Sequence, residues 1–99
     1  MIKHYSKEED FNEIIKNKVL VDFYADWCGP CKMLVMEIEK AASEIDIDIV
    51  KVNVDEEEDI ARKYGVMSIP TLILFENGQE LKKTIGFMPK DKIKEFIED

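Results

Sequence analysis

The sequence predicts an α/β domain in which a central mixed five-stranded sheet is flanked by four helices, in the order β-α-β-α-β-α-β-β-α. Three observations predict it. Val19 to Ala25, Ile47 to Val54 and Thr71 to Phe75 are apolar runs of strand length, rich in β-branched and aromatic residues. Between them, apolar residues recur at the helical period. Asn77-Gly78, the strongest short hairpin signal, then joins the last two strands.

Each element follows from local chemistry. Ile2 to Tyr5 reads as a short first strand. Ser6 opens a capping box with Glu9, and Phe11, Ile14 and Ile15 continue at helical spacing, so a helix is expected over Lys7 to Lys16. Val19 to Ala25 suits a central strand covered on both faces, with Asp22 its one anomaly. Cys31, Leu34, Val35, Ile38, Ala41, Ala42 and Ile45 then form one stripe opposite Lys32, Glu39, Lys40 and Ser43, an amphipathic helix. Ile47 to Val54 is the third strand. Asp55 and Glu58 form a second capping-box-like pair for a helix over Glu56 to Lys63, which Gly65 ends.

Pro70 opens the strand Thr71 to Phe75, a place where proline is tolerated, and the hairpin returns the chain over Gln79 to Ile85. Gly86 punctuates. Pro89 suits the first turn of a last helix that turns Ile93, Phe96 and Ile97 inward. Strands joined through helices are expected to be parallel, and the terminal hairpin antiparallel. With 99 residues, and without internal repeat or linker, residues 1–99 are expected to form a single domain.

Composition narrows the function. The formal net charge is −8, and the lysines are scattered among a larger number of acids. Nucleic-acid binding needs clustered Lys and Arg to replace phosphate counterions, and anionic membranes need the same, so neither partner is expected. The apolar runs are too short to span a bilayer. Met1 is followed by a polar and aromatic segment instead of the apolar core of a signal peptide, so the cytosol is the expected compartment. Stable structural disulfides are uncommon there, and cysteines point first to catalysis or metal.

Cys28 and Cys31 are the only two cysteines, and only Gly29 and Pro30 separate them. They lie where the buried strand meets the amphipathic helix. Gly29 permits the turn, and Pro30 is harmless where its missing N–H would have had no helical partner. Cys28 then falls near the helix N-cap. Helix geometry puts residues three apart at about 5 Å between Cα atoms, within the roughly 4.4–6.8 Å that a disulfide accepts. Free N–H groups and the helix dipole favour a thiolate at Cys28. Cys31 begins the buried stripe, while Cys28 sits at the tip beside Trp27. Cys28 is therefore expected to attack and Cys31, shielded, to resolve, as two-step disulfide exchange requires.

Other readings stay open on the residues alone. A CxxC is also half of a zinc site, but only His4 remains as a further N/S donor. Asp22 either faces water at a strand end or is a buried carboxylate of raised pKa, able to take the Cys31 proton. Lys51, a lone lysine in a strand, is read as snorkelling to solvent. Trp27 either packs or offers an aromatic contact beside the thiol. Met33 and Met36 flank the buried stripe and either form an adaptable contact surface or, as expected, are partly buried.

The WCGPCK run from Trp27 to Lys32 resembles the active-site motif of the thioredoxin family residue for residue. The setting is similar too: the apolar strand with Asp22, the Ile69-Pro70-Thr71 segment, the Asn77-Gly78 hairpin, and Gly86. The resemblance covers essentially the whole chain. It implies the thioredoxin fold, a redox-active Cys28-Cys31 disulfide, proton transfer by Asp22, and tuning of Asp22 by Lys51. It further implies a cis Pro70 and a substrate surface of Trp27, Gly29, Pro30, Ser68, Ile69, Pro70, Gly86 and Phe87.

Four residues depart from the family's pattern: Met36 for a helix-kinking proline, Tyr24 for a second tryptophan, Ser68 for glycine, and Phe87 for a small residue. The expected function is a monomeric cytosolic protein-disulfide reductase that maintains cell redox homeostasis. It would use no bound cofactor beyond its dithiol and no metal, act on disulfide-containing proteins, and be recharged by a thioredoxin reductase. An oxidase or isomerase of the same fold, or a non-catalytic binding module, is the alternative.

Overall fold

Leu20, Val21 and Phe23 have no exposed surface, and burial on both faces puts their strand at the centre of the sheet. The structure, a computed structural model, describes residues 1–98. Its elements are β1 (Ile2–His4), α1 (Phe11–Ile14), β2 (Val19–Tyr24), α2 (Gly29–Ala42), β3 (Asp48–Asn53), α3 (Glu58–Lys63), β4 (Thr71–Glu76), β5 (Gln79–Ile85) and α4 (Lys90–Glu98). The five strands lie in the order β1-β3-β2-β4-β5. The sheet is mixed: β1, β3 and β2 are parallel, and β4 and β5 add antiparallel strands.

Alternation along the strands builds two cores. Val19, Val21, Phe23, Val50, Val52, Ile73 and Phe75 face one way and bury Phe11 and Ile15, with Ile60 and Tyr64 packed against them. Phe75 meets the edges of Phe11 and Tyr64, at centroid distances of 5.8 and 5.0 Å. On the other face Leu20, Ile49, Leu72 and Leu74 receive Leu34, Ile38 and Ala41 of α2 and Ile93 and Ile97 of α4. Phe96, expected inward, is only half-buried. Glu37 of α2 accepts the Lys90 N–H at 2.9 Å, so the second helix of this layer is capped by the first. Among the described residues no helix is long and apolar enough to cross a membrane.

Three expectations are corrected. The first helix starts at Phe11 instead of Lys7. Ser6 and Glu9 do pair, but they close a turn. Asp10, extended at φ −99° and ψ 109°, is the true N-cap, its carboxylate accepting from the Asn12 N–H at 2.9 Å. Similarly, Asp55 and Glu58 do not cap α3, whose N-cap Glu57 makes no side-chain bond. Finally, β4 is antiparallel to β2, although a helix joins it to β3. Six residues of α3 rise about 9 Å, too little to return along a strand of about 20 Å. The chain therefore re-enters the sheet at the end where β3 finished. At the hairpin, Asn77 and Gly78 have φ of 56° and 80°, as a two-residue type I′ turn requires.

Candidate active site

β2 and α2 meet at Cys28. Its extended backbone, φ −90° and ψ 109°, makes it the N-cap of α2, and its sulfur accepts the Cys31 N–H at 3.2 Å. Pro30 occupies the first turn, where it forfeits no helical bond. The Cα atoms of Cys28 and Cys31 are 5.2 Å apart and the two sulfurs are joined as a disulfide.

The expected contrast in exposure is slight, since Cys28 is 4% exposed and Cys31 2%. Polar surroundings separate them instead. Cys28 Sγ has the Cys31 N–H and, 3.9 Å away, the carbonyl oxygen of Ile69. Cys31 faces a cavity of about 140 Å³ whose walls include Tyr24, Val35 and Lys51.

The antiparallel return of β4 brings the Ser68–Thr71 segment to this end of the sheet. The Ile69–Pro70 peptide bond is cis. Pro70 is buried and Ser68 exposed, and the Thr71 hydroxyl donates to the Ser68 carbonyl. The Gly86 N–H donates to the Pro70 carbonyl at 2.8 Å, which ties the end of β5 and the exposed Phe87 to the same rim. Gly29 and Pro30 are exposed at the start of α2. Met33 and Met36 are also exposed, contrary to the expected partial burial, because they point away from the α2 stripe that packs on the sheet.

Trp27 is 71% exposed, and its indole N–H donates to Asp55 at 2.9 Å. Asp55 is in turn placed by Asn53, whose side-chain oxygen accepts the Asp55 and Glu56 N–H groups at 2.8 and 3.3 Å. Sequence reasoning missed both residues. The available signal was Asn53 at a strand end two residues before the acids, where an asparagine side chain turns the chain by bonding backbone two residues on.

Asp22 has no exposed surface, and neither carboxylate oxygen has a hydrogen-bond partner among the described residues. Burial pushes its pKa from 3.8 up to about 7, against a smaller opposing pull from Lys51. Lys51 is registered beside Asp22 on the neighbouring parallel strand. Its ammonium nevertheless lies over the Tyr24 ring, 4.3 Å from the centroid.

Elsewhere, a surface hollow of about 480 Å³ is lined by Lys7 and the acids Asp55 to Asp59. Among the described residues no group of three or more His, Cys, Asp or Glu gathers in a way that could hold a metal ion. The arrangement is suited to sulfur chemistry. One sulfur sits against a helix N-terminus that favours its anion, a second is bonded to it, and a buried carboxylate titrates close to neutrality.

Comparison with known proteins agrees with that chemistry. The thioredoxin family model matches residues 2–99. The chain is similar to the thioredoxin of Mycoplasma pneumoniae, 55% identical over 82 residues that cover 82% of this chain and 80% of that one. It is similar also to the thioredoxin of Staphylococcus epidermidis, 47% identical over 94 residues, covering 92% and 90%. Among solved structures it matches a mutant thioredoxin from Halobacterium salinarum NRC-1 with a TM-score of 0.90 at 36% identity, covering 98% of this chain and 88% of that one. With its Cys-Gly-Pro-Cys pair at a helix start, the chain belongs to the thioredoxin family, the thiol–disulfide oxidoreductases that reduce protein disulfides and need no bound cofactor to do so.

Proposed function

We propose that residues 1–99 work as one monomeric domain in the cytosol, with Cys28 as the attacking thiol and Cys31 as the resolving one. The Cys28 thiolate attacks one sulfur of a substrate disulfide. A mixed disulfide forms, and the displaced substrate sulfur takes up a proton. The buried Asp22 carboxylate takes the proton from Cys31, whose sulfur then attacks Cys28 Sγ. The second substrate sulfur leaves, and the domain is left as the Cys28-Cys31 disulfide. Two electrons pass to the substrate, and a thioredoxin reductase returns them.

The observation that carries this reading is the 3.2 Å bond from the Cys31 N–H to the Cys28 sulfur, because it favours the anion on one sulfur only. A group that titrates close to 7 is matched to proton exchange with a thiol at neutral pH, which supports the role of Asp22. Lys51 tunes that carboxylate through its charge. Trp27, Gly29, Pro30, Ser68, Ile69, Pro70, Gly86 and Phe87 make the platform on which an extended substrate segment lies, bonding backbone to backbone at Ile69.

The test is dithiothreitol-driven reduction of insulin. Cys28→Ser should abolish it. Cys31→Ser should instead accumulate covalent mixed disulfides with protein substrates, visible on non-reducing gels. Residual turnover in Cys28→Ser, or an absence of trapped species with Cys31→Ser, would remove the assignment of roles.

A further inference from the structure

Lys51 has two groups within reach of its charge and settles on the uncharged one. Its Cα is registered beside Asp22, yet both Asp22 oxygens lack a hydrogen-bond partner. The ammonium stands over the Tyr24 ring instead, at 4.3 Å. Asp22 and Tyr24 are two apart on β2, so they share the face that carries α2. Tyr24, Lys51 and Cys31 line one cavity, and Asp22 is not among its walls.

We propose that Tyr24 is a positioning residue: its ring face fixes the Lys51 ammonium at the cavity beside Cys31, where the cation biases the Asp22 proton without pairing with the carboxylate. The proposal rests on the reading of Asp22 as the group that exchanges a proton with Cys31.

Lysine is a compact charge on a flexible stem, and it is most stable in water unless something holds it. The negative face of an aromatic ring can hold it. A direct ion pair with Asp22 would lock the carboxylate as an anion and leave it a poor proton acceptor at neutral pH. Kept on the ring, the cation offsets only part of the effect of burial on Asp22.

The charged surroundings are few. β3 contributes Lys51, and β4 presents the uncharged Leu72 beside Asp22. α2 brings Cys31 and Lys32 to the cavity wall, and Asp26 lines the same wall. α4 packs on this face through Ile93 and Ile97. The Tyr24 phenol is pushed up mainly by burial, with the charges of Asp26, Glu56 and Asp22 adding to it, and stays protonated.

The test is a 13C NMR titration of the Asp22 carboxyl in the oxidised protein, with Asp22→Asn to assign the signal. Tyr24→Leu removes the ring face and returns the ammonium to water, so the Asp22 midpoint should rise by about half a pH unit or more. Tyr24→Phe keeps the face and should leave the midpoint within about 0.2 unit of the parent. Lys51→Met should raise it at least as far as Tyr24→Leu, and the double variant no further than Lys51→Met alone.

A series of increasingly fluorinated phenylalanines at position 24 weakens the ring face while keeping its bulk, and should raise the midpoint stepwise even if leucine disturbs the fold. An unmoved midpoint across that series, or a full Tyr24→Leu shift on top of Lys51→Met, would overturn the proposal. The pH–rate profile of insulin reduction in Asp22→Asn separates the two readings. An unchanged profile overturns the role of Asp22, and with it any part for Tyr24 in the reaction. A changed profile with unmoved midpoints overturns Tyr24 alone.

Discussion

The backbone N–H of Cys31 points at the sulfur of Cys28 across 3.2 Å, so the first turn of α2 closes on that sulfur. A helix start has N–H groups without partners and carries partial positive charge, which favours an anion at the capping atom. Among the described residues no such donor serves Cys31, which lies one turn inside the helix.

In the reduced protein, iodoacetamide should therefore label Cys28 first. Its alkylation rate should follow a midpoint below the ~8.5 of a free thiol, and Cys31 should react at least about tenfold more slowly. Peptide mapping by mass spectrometry at graded pH reads both. Equal labelling of the two sulfurs at neutral pH would contradict the geometry.

Asp22 should make the fold pH-dependent in a definite direction. Its pKa is 3.8 in the unfolded chain and about 7 in the fold, so the folded state binds the proton more tightly. Stability should fall as pH rises from about 4 to about 7 and stay level above that. Asp22→Asn removes the ionisable group. It should be the more stable protein above pH 7, by an amount on the order of 4 kcal/mol, and should lose that advantage below pH 4. Urea unfolding of both oxidised proteins at pH 3.5 and pH 8 checks this, and a difference independent of pH would refute it.

Asp55 holds the only tryptophan of the chain by its indole N–H. Asp55→Ala should free the ring, lowering the fluorescence anisotropy of Trp27. It should raise KM for a protein disulfide by about two- to fivefold, with a smaller change in kcat, as expected for an ordered contact surface that makes no bond in the chemical step. Unaltered anisotropy and KM would show that the bond does not order the ring.

Ile38 anchors α2 to the sheet and is almost wholly buried among Leu20, Ile49, Leu72 and Leu74. Ile38→Ala should cost about 2–5 kcal/mol in chemical denaturation, by lost burial and the cavity left behind. Below the transition, Cys28 should keep its labelling rate, because the capping turn lies two helical turns away. A large fall in labelling rate in the folded variant would mean that α2 responds as a whole.

Much of this was legible in the residues, for identifiable reasons. Gln79–Ile85 was read with the right ends because Asn77 and Gly78 set the turn by backbone chemistry alone, and the α2 stripe because Leu34, Ile38 and Ala41 keep a strict period. Errors fell where side chains compete for the same backbone groups. Ser6 and Asp10 are both good caps, and only the extended backbone at Asp10 decides between them. Asp55 looked like a helix cap, yet it serves an indole 28 residues away, a pairing no local pattern encodes. The direction of β4 was missed because periodicity reports a strand without reporting which way it runs. Lys51 was read as snorkelling to solvent or, by resemblance, as tuning Asp22. Its settling on the Tyr24 ring depends on a diagonal across two strands, which becomes visible only once their register is known.

Cys28, just after β2, and Ile69–Pro70, just before β4, follow neighbouring strands in the middle of the sheet. The paired backbones of those two strands anchor the disulfide and the cis-proline segment to one ladder, so a substitution that slips β2 against β4 would displace one relative to the other.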